Sequence, residues 1–378
     1  MRSAAEDPVT LFLCGDVMLG RGVDQILPHP GDPALEEPCV RDARAYVELA
    51  EEANGPIPRP VGYSWPWGDA LEVLDEAAPD VRVLNLETSI TRSRDFAPGK
   101  QVHYRMNPAN LPALAVARPD VCVLANNHVL DFGVRGLTET LDALAGAGLD
   151  QAGAGRDEDE ARRPAVVALP GGGRVLVFAV AMPSSGVPGE WAAARDRPGV
   201  AFLSGASRDA AAETVHRVRQ AKRPGDIAVV SIHWGSNWGY EVEDDQVEFA
   251  HALVEGGVDL VHGHSSHHPR PAEVYRDRLI LYGCGDFVDD YEGIAGYEEY
   301  RDDLRLLYLV TVEATAEAGS GRLLELRMAP MRAVRMRLRH ACGEDREWLR
   351  ATLDRISREF GARVAPAPGG TLALAPAA

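Results

Sequence analysis

An α/β fold, with one mixed sheet or two sheets packed together, is predicted by three features of the sequence. Short apolar runs recur and end in polar residues, helical patterns separate them, and a second set of runs forms hairpin pairs. The first set is VTLFLCGD (9–16), VRVLNLETS (81–89), DVCVLANNH (120–128), DIAVVSIHWG (226–235) and VDLVHGH (258–264), rich in Val, Leu and Ile as buried strands are. Between them, WGDALEVLDEA, NPANLPALAVA, RGLTETLDALAGAG, SRDAAAETVHRVRQAK and DDQVEFAHALVEGG carry helical spacing, the last closed by Gly as a C-cap.

The hairpin set is AVVALP with RVLVFAVAM across PGGGR, AEVYRD with RLILYGCGD, and LRLLYLVTVEAT with GRLLELRMAPMRA across AEAGSG. A terminal helix, EDREWLRATLDRISREFGA, follows. The expected organisation is a single domain over 1–362, with 28–67 an inserted loop placed to cover a site and 363–378 a disordered tail rich in Pro, Gly and Ala.

At 378 residues, with 46% hydrophobic and 25% charged residues, the chain has the composition of an ordinary globular protein, which excludes global disorder. A formal charge of −18 and the lack of a basic stripe argue against a nucleic-acid partner. Lys100 and Lys222 are the only lysines; all other permanent side-chain cations are arginines. Five scattered cysteines without a C-x-x-C, no secretory h-region and no run of membrane-spanning length lead to the expectation of a cytoplasmic protein with no membrane span.

The polar residues that end the strands carry the functional signal. They are Asp16, then Asn85 and Glu87, then Asn126, Asn127 and His128, then His233, and lastly His262 and His264 followed by His267 and His268. Strand carboxyl ends of an open α/β sheet share one edge, where ligand sites form. Each residue alone has an ordinary structural use as a cap, a turn or a hydrogen-bonded core group. Together they offer imidazole, carboxylate and amide oxygen, a donor set suited to divalent Mn, Fe or Zn, as one ion or two. No G-x-S-x-G, no P-loop and no complete G-x-G-x-x-G is present, and Ser265 and Ser266 are read as shaping their loop. Tyr63, Trp65, Trp67, Trp234, Trp238 and Tyr240 are read as core or lid packing, with stacking on a substrate ring as the alternative.

Six ordered motifs then carry a resemblance: GDVMLGR (15–21), NLETSIT (85–91), ANNHVLDFG (125–133), SIHWG (231–235), GHSSH (263–267) and LYGCGDFVDDYEGI (281–294). With these the chain resembles the CapA-like, poly-gamma-glutamate capsule biosynthesis family of the calcineurin-like metallophosphoesterase superfamily, over most of its length. The resemblance implies a four-layer α/β/β/α sandwich with mixed sheets and a two-metal centre. It would place Asp16 on the first metal with His267, Glu87 as the bridge, and Asn127, His233 and His264 on the second. It would also make His128 the general acid, oriented by Asp131, with attack by a hydroxide generated between the ions.

The chain departs from that pattern at Met18, where the superfamily has a histidine, and at Glu87, where it has an aspartate. A thioether is a poor ligand for a hard dication, so Asp286 is the nearest replacement, in the second shell or closer, and a one-metal centre is an alternative. His262 is expected as an outer-shell partner of His264. Arg21 and Arg270 flank the metal loops and are candidates to clamp a phosphate or carboxylate, with pairing to surface acids as the alternative. The expected function is therefore metal-dependent hydrolysis of a phosphoester or a gamma-glutamyl-type amide in a small anionic substrate. The alternative is a non-catalytic component that binds metal and anionic glutamyl polymer.

Overall fold

The computed structural model describes residues 8–314 and 321–376. In chain order the principal strands are β1 (Val9–Val17), β2 (Val81–Leu86), β3 (Val121–Val123), β4 (Asp150–Ala152), β5 (Ala165–Ala168), β6 (Arg174–Ala181), β7 (Ile227–His233), β8 (Leu260–His264), β9 (Ala272–Tyr275), β10 (Arg278–Leu281), β11 (Asp286–Val288), β12 (Leu304–Val312), β13 (Leu323–Ala333), β14 (Ala362–Pro366) and β15 (Leu372–Pro376). The principal helices are α1 (Arg21–Ile26), α2 (Arg44–Asn54), α3 (Ala70–Ala77), α4 (Gly133–Gly146), α5 (Arg208–Ala221), α6 (Asp244–Gly256) and α7 (Gly343–Ser357).

Two mixed sheets result. The larger runs β14-β15-β13-β12-β1-β2-β3-β4, with β11 also on β1, and the smaller runs β9-β10-β8-β7-β6-β5. The apolar strands of the first set pair in parallel, β1 with β2 and β7 with β8, whereas the three predicted hairpins are antiparallel. Most of the AEAGSG turn lies outside the described residues.

Period-two side chains explain the layering. On β6, β7 and β8, Val175, Val177, Ile227, Val229 and Leu260 join the core between the sheets. The alternate residues Leu176, Phe178, Ala228, Val230 and Val261 pack outward with Ala211 and Val215 of α5 and Phe249 and Leu253 of α6. On the far side, Leu74 of α3 and Leu137, Leu141 and Leu144 of α4 join the core of the larger sheet. An α/β/β/α arrangement follows. Helix starts obey local chemistry: Ser207 caps α5 by accepting from Ala210 N, and Glu243 with Gln246 forms a capping box on α6, which ends at Gly257 with φ +107°.

Two expectations about segments are corrected. Over its described residues, 363–376, the tail expected to be disordered is part of a hairpin, with 377–378 outside the described residues: β14 pairs with β15 from Ala362↔Pro376 to Pro366↔Leu372, and β15 joins β13. Ala362, Val364 and Leu372 are buried, and Asp354 of α7 accepts from Arg363 Nε at 2.7 Å and Val364 N at 3.1 Å. Its Pro and Gly supply the turn at 368–370 rather than disorder. The segment 28–67, read as a loop, holds the eleven-residue helix α2 and buries Tyr46, Val47, Ile57, Val61 and Trp67. Among the described residues, no helix is long and apolar enough to cross a membrane.

Candidate metal centre

Parallel pairing brings the chemistry-bearing residues together. Asp16 lies opposite Asn85 on β2 and opposite Asp286 on β11, while His233 lies opposite His264 across β7 and β8. The ends of both sheets meet here: His262 Nε2 is 2.9 Å from the Cys14 carbonyl of β1. Ligand atoms of Asp16, His233 and His264 lie within 4.8 Å of one another, and so do those of Asp16, His267 and Asp286.

Asp16 is common to both groups, the position the resemblance gives to Glu87. Glu87 stands beside them, with Oε1 3.8 Å from both His233 Nε2 and His128 Nε2, and Oε2 accepting from Asn85 Nδ2 at 2.9 Å. Asp286 falls in the group with Asp16 and His267, on the side where Met18 replaces a further imidazole, so it sits nearer than an outer-shell role requires.

A bound cation fits these residues. Among the described residues, Asp16 Oδ2 and Asp286 Oδ2 are buried oxygens without a hydrogen-bond partner, a costly state for carboxylates on neighbouring strands. Burial, then Asp286, push Asp16 up to about 7, with Asn85 and His267 opposing. Glu87 is likewise raised by burial, then by Asp16 and Asp286. A cation among them would relieve both causes.

Hydrogen bonds decide which nitrogen of His264 is available to a ligand. The Cys14 carbonyl can only accept, so His262 carries its proton on Nε2 and its Nδ1 accepts from the Ser231 hydroxyl at 3.0 Å. The Ser231 oxygen then accepts from His264 Nε2 at 2.9 Å. His264 Nδ1 is left with a lone pair facing His233 Nδ1, 2.8 Å away. His262 is thus an outer partner acting through Ser231. Burial holds His262 down to about 4 and drives His233 and His264 well below the usual imidazole range, so all three are neutral, the form that binds metals.

The two adjacent asparagines divide their work. Asn127 Oδ1 reaches His233 Nε2 at 3.1 Å, whereas Asn126 builds the loop, with Nδ2 donating to Asn85 Oδ1 and Leu86 O, and Oδ1 accepting from His128 N and Val129 N. His128 Nδ1 is 2.7 Å from Asp131 Oδ2, the dyad the resemblance implies. Lys100, not singled out by its motif, contacts the Asn127 carbonyl and Asp131 Oδ1 and lies 2.9 Å from His128 Nδ1. Burial, with Lys100 opposing Asp131, holds His128 down to about 4. The available signal for Lys100 was its rarity, as one of two lysines in a chain that otherwise uses arginine.

His267 Nδ1 meets Asp286 Oδ1 at 3.0 Å; burial lowers its basicity, but Asp286, joined by Asp16 and Asp289, raises it on balance. His268 stacks instead on Tyr300 and packs against Tyr240, away from the ligand groups. Ser265 has φ +100° and Ser266 Oγ bonds His268 O, so both shape the loop. Neither proposed anion clamp has a free guanidinium on the surface. Arg21 is buried against Asp290, at 2.8 and 2.5 Å, and Glu37 at 3.3 Å; Arg270 is buried and donates to Ser236 O and Oγ. Trp67 and Trp234 are core residues, whereas Trp238 lines a cavity beside His267.

Residues 10–291 match the family described as Bacterial capsule synthesis protein PGA_cap. A probable polyglutamine synthesis accessory protein of Mycobacterium tuberculosis is 58% identical over 98% of this chain and 97% of its own length. The PGA biosynthesis protein CapA of Bacillus subtilis is 27% identical over 82% of this chain and 69% of its own. A solved structure, TT1561 of Thermus thermophilus, aligns with 84% of this chain and all of its own at 11% identity and a TM-score of 0.37. With matching motifs in order and a near full-length relative, the chain belongs to the CapA-like bacterial capsule synthesis family.

Proposed function

We propose that the chain is a metal-dependent hydrolase acting on a phosphoester or gamma-glutamyl-type amide of a small anionic substrate, in the context of glutamyl-polymer synthesis. The observation that carries this reading is the pair of partnerless buried oxygens, Asp16 Oδ2 and Asp286 Oδ2, converging with three histidines. Asp16, Asp286 and His267 would hold one divalent ion, and Asp16, His233, His264, Asn127 and Glu87 a second; Mn, Fe and Zn suit this donor set. Such ions, when bound, supply a nucleophilic hydroxide near neutral pH and polarise the bond under attack.

The chain's own groups supply the rest. His128 faces the centre through Nε2, with Asp131 and Lys100 fixing the ring from behind, so Nε2 is placed to pass a proton to a leaving group once the ring has gained a second proton. Ser231 and His262 orient His264, and Asn126 fixes the loop bearing Asn127 and His128. Five unpaired cysteines suit a reducing, cytoplasmic setting.

The test combines metal analysis of purified protein with a panel of phosphoesters and glutamyl amides. At least one equivalent of Mn, Fe or Zn with turnover supports the reading; less than one equivalent with no turnover ends it. The accessory role named for the Mycobacterium tuberculosis relative favours a second reading, a non-catalytic component that holds metal and glutamyl polymer. Bound metal without turnover on the panel is the result that selects it.

A further inference from the structure

A cavity of about 220 Å³ opens beside His267, and its walls are aromatic. Tyr46 and Tyr104 form one side, where Arg21 stacks on the Tyr46 ring at 3.5 Å and the Tyr104 hydroxyl donates to that of Tyr291 at 2.7 Å. Trp238 forms the other, stacked on Tyr297 with centroids 3.9 Å apart and planes 5° from parallel. Asp302 also lines the cavity, half-buried, and among the described residues its carboxylate forms no ion pair and no hydrogen bond to another residue. Burial raises its affinity for a proton, Arg305 opposes this, and Asp303 and Asp286 add to it.

The charge balance around the cavity is negative. Arg21 pairs with Asp290 and Glu37, and Arg305 with Asp289, so with Asp302 counted four carboxylates face two guanidiniums. An anion would meet that free carboxylate. A neutral apolar group would leave it without a partner, at a desolvation cost. A cation would satisfy both the carboxylate and the negative faces of the rings.

We propose that this cavity binds a primary ammonium group carried by the substrate, with Asp302 as its counter-charge and Trp238, Tyr291 and Tyr297 as its aromatic walls. The proposal deepens the hydrolase reading and rests on it for the anionic end of the substrate, which would face the metal centre past His267. The substrate is then a small amino-bearing anion, with the ammonium a few bonds from the phosphate or glutamyl amide.

Binding of paired probes to the metal-loaded protein, followed by titration calorimetry, tests this. Phosphoethanolamine is compared with propyl phosphate, and gamma-glutamylglutamate with glutarylglutamate; in each pair only one member carries the ammonium. The amino member of at least one pair is expected to bind about tenfold more tightly, a cation-π and ion-pair increment, and the pair that discriminates identifies the source. The ratio is expected to fall to about one in Asp302→Asn and to drop severalfold in Trp238→Ala, with Trp238→Phe restoring most of it. Equal binding within both pairs, or a preference that survives Asp302→Asn, overturns the proposal. Ethylammonium binding to metal-free protein, followed by NMR, separates the two readings. Binding that Asp302→Asn abolishes supports the cavity even if no probe is hydrolysed, and no binding overturns it even if hydrolysis is found.

Discussion

Asp354 and Asp16 are both buried carboxylates, and their surroundings are opposite. Asp354, under the C-terminal hairpin, accepts from Arg363 Nε, Arg358 Nη2 and Val364 N, and the bond from Arg363, together with the other two, holds it below the usual carboxylate range. Asp16, at the end of β1, accepts from Asn85 Nδ2, faces Asp286 across the strand pair, and is pushed up to about 7. A carboxylate surrounded by donors locks structure. One left beside other carboxylates and neutral imidazoles awaits a cation, because burying it unpaired costs stability that only a ligand returns.

The sharpest break of this comparison tests the chemistry at the donor-poor end. His128→Ala is expected to retain metal while turnover on any phosphoester or amide substrate found falls by about 10² to 10⁴, whereas His264→Ala loses metal as well. Equal metal loss in both would make His128 a ligand rather than an acid. Next, Asp16→Asn and Asp286→Asn are each expected to weaken metal affinity by about 100-fold or more, measured by competition with a chelator, while Asp354→Asn leaves it unchanged.

Stability should respond in the same order. A divalent ion at a hundred times its Kd should add about 2.7 kcal/mol to the wild-type protein in thermal melts and close to nothing to Asp16→Asn. The smallest effect belongs to the donor-rich end. Asp354→Ala should cost about 1 kcal/mol, chiefly for the Val364 N–H left without its acceptor. Because Asp354 titrates lower in the folded chain than in the unfolded one, its contribution is complete at neutral pH and is lost as pH falls below about 4. The gap in melting temperature between wild type and Asp354→Asn should therefore narrow from pH 7 to pH 3; a constant gap would show that the lock is not ionic.

Much of the fold was legible because burial writes itself into the chain as periodicity. The apolar runs at β1, β2, β7 and β8 and the three hairpins each stand where their spacing placed them. The tail was misread because Pro, Gly and Ala describe both disorder and a tight turn. What separates the two is Val364 and Leu372 finding cover and Arg363 finding Asp354, contacts made across the fold. Helix α2 was hidden for a related reason, between proline-rich stretches that marked the whole of 28–67 as loop.

At the site, residue types and strand ends marked a wider set of donors, the family resemblance narrowed it to Asp16, Glu87, Asn127, His233, His264 and His267, and the structure brings these six to the shared edge. Sequence offered Asp286 only as the nearest replacement for the missing imidazole; its closeness to Asp16 comes from β11 pairing with β1 across some 270 residues. Nor could it show that Arg21 and Arg270 are engaged, since Asp290, Glu37 and Ser236 meet them only after folding.

By itself, the sequence determined the α/β class, the principal strands and helices of the core, and the donor types offered at the strand ends, since apolar period and residue type are local properties of the chain. Tertiary structure alone decided which oxygens are left without partners, which nitrogen of His264 carries its proton, and which carboxylate faces the aromatic cavity. Those are outcomes of competition among hydrogen-bond partners, and the competitors come from strands and loops far apart in the chain.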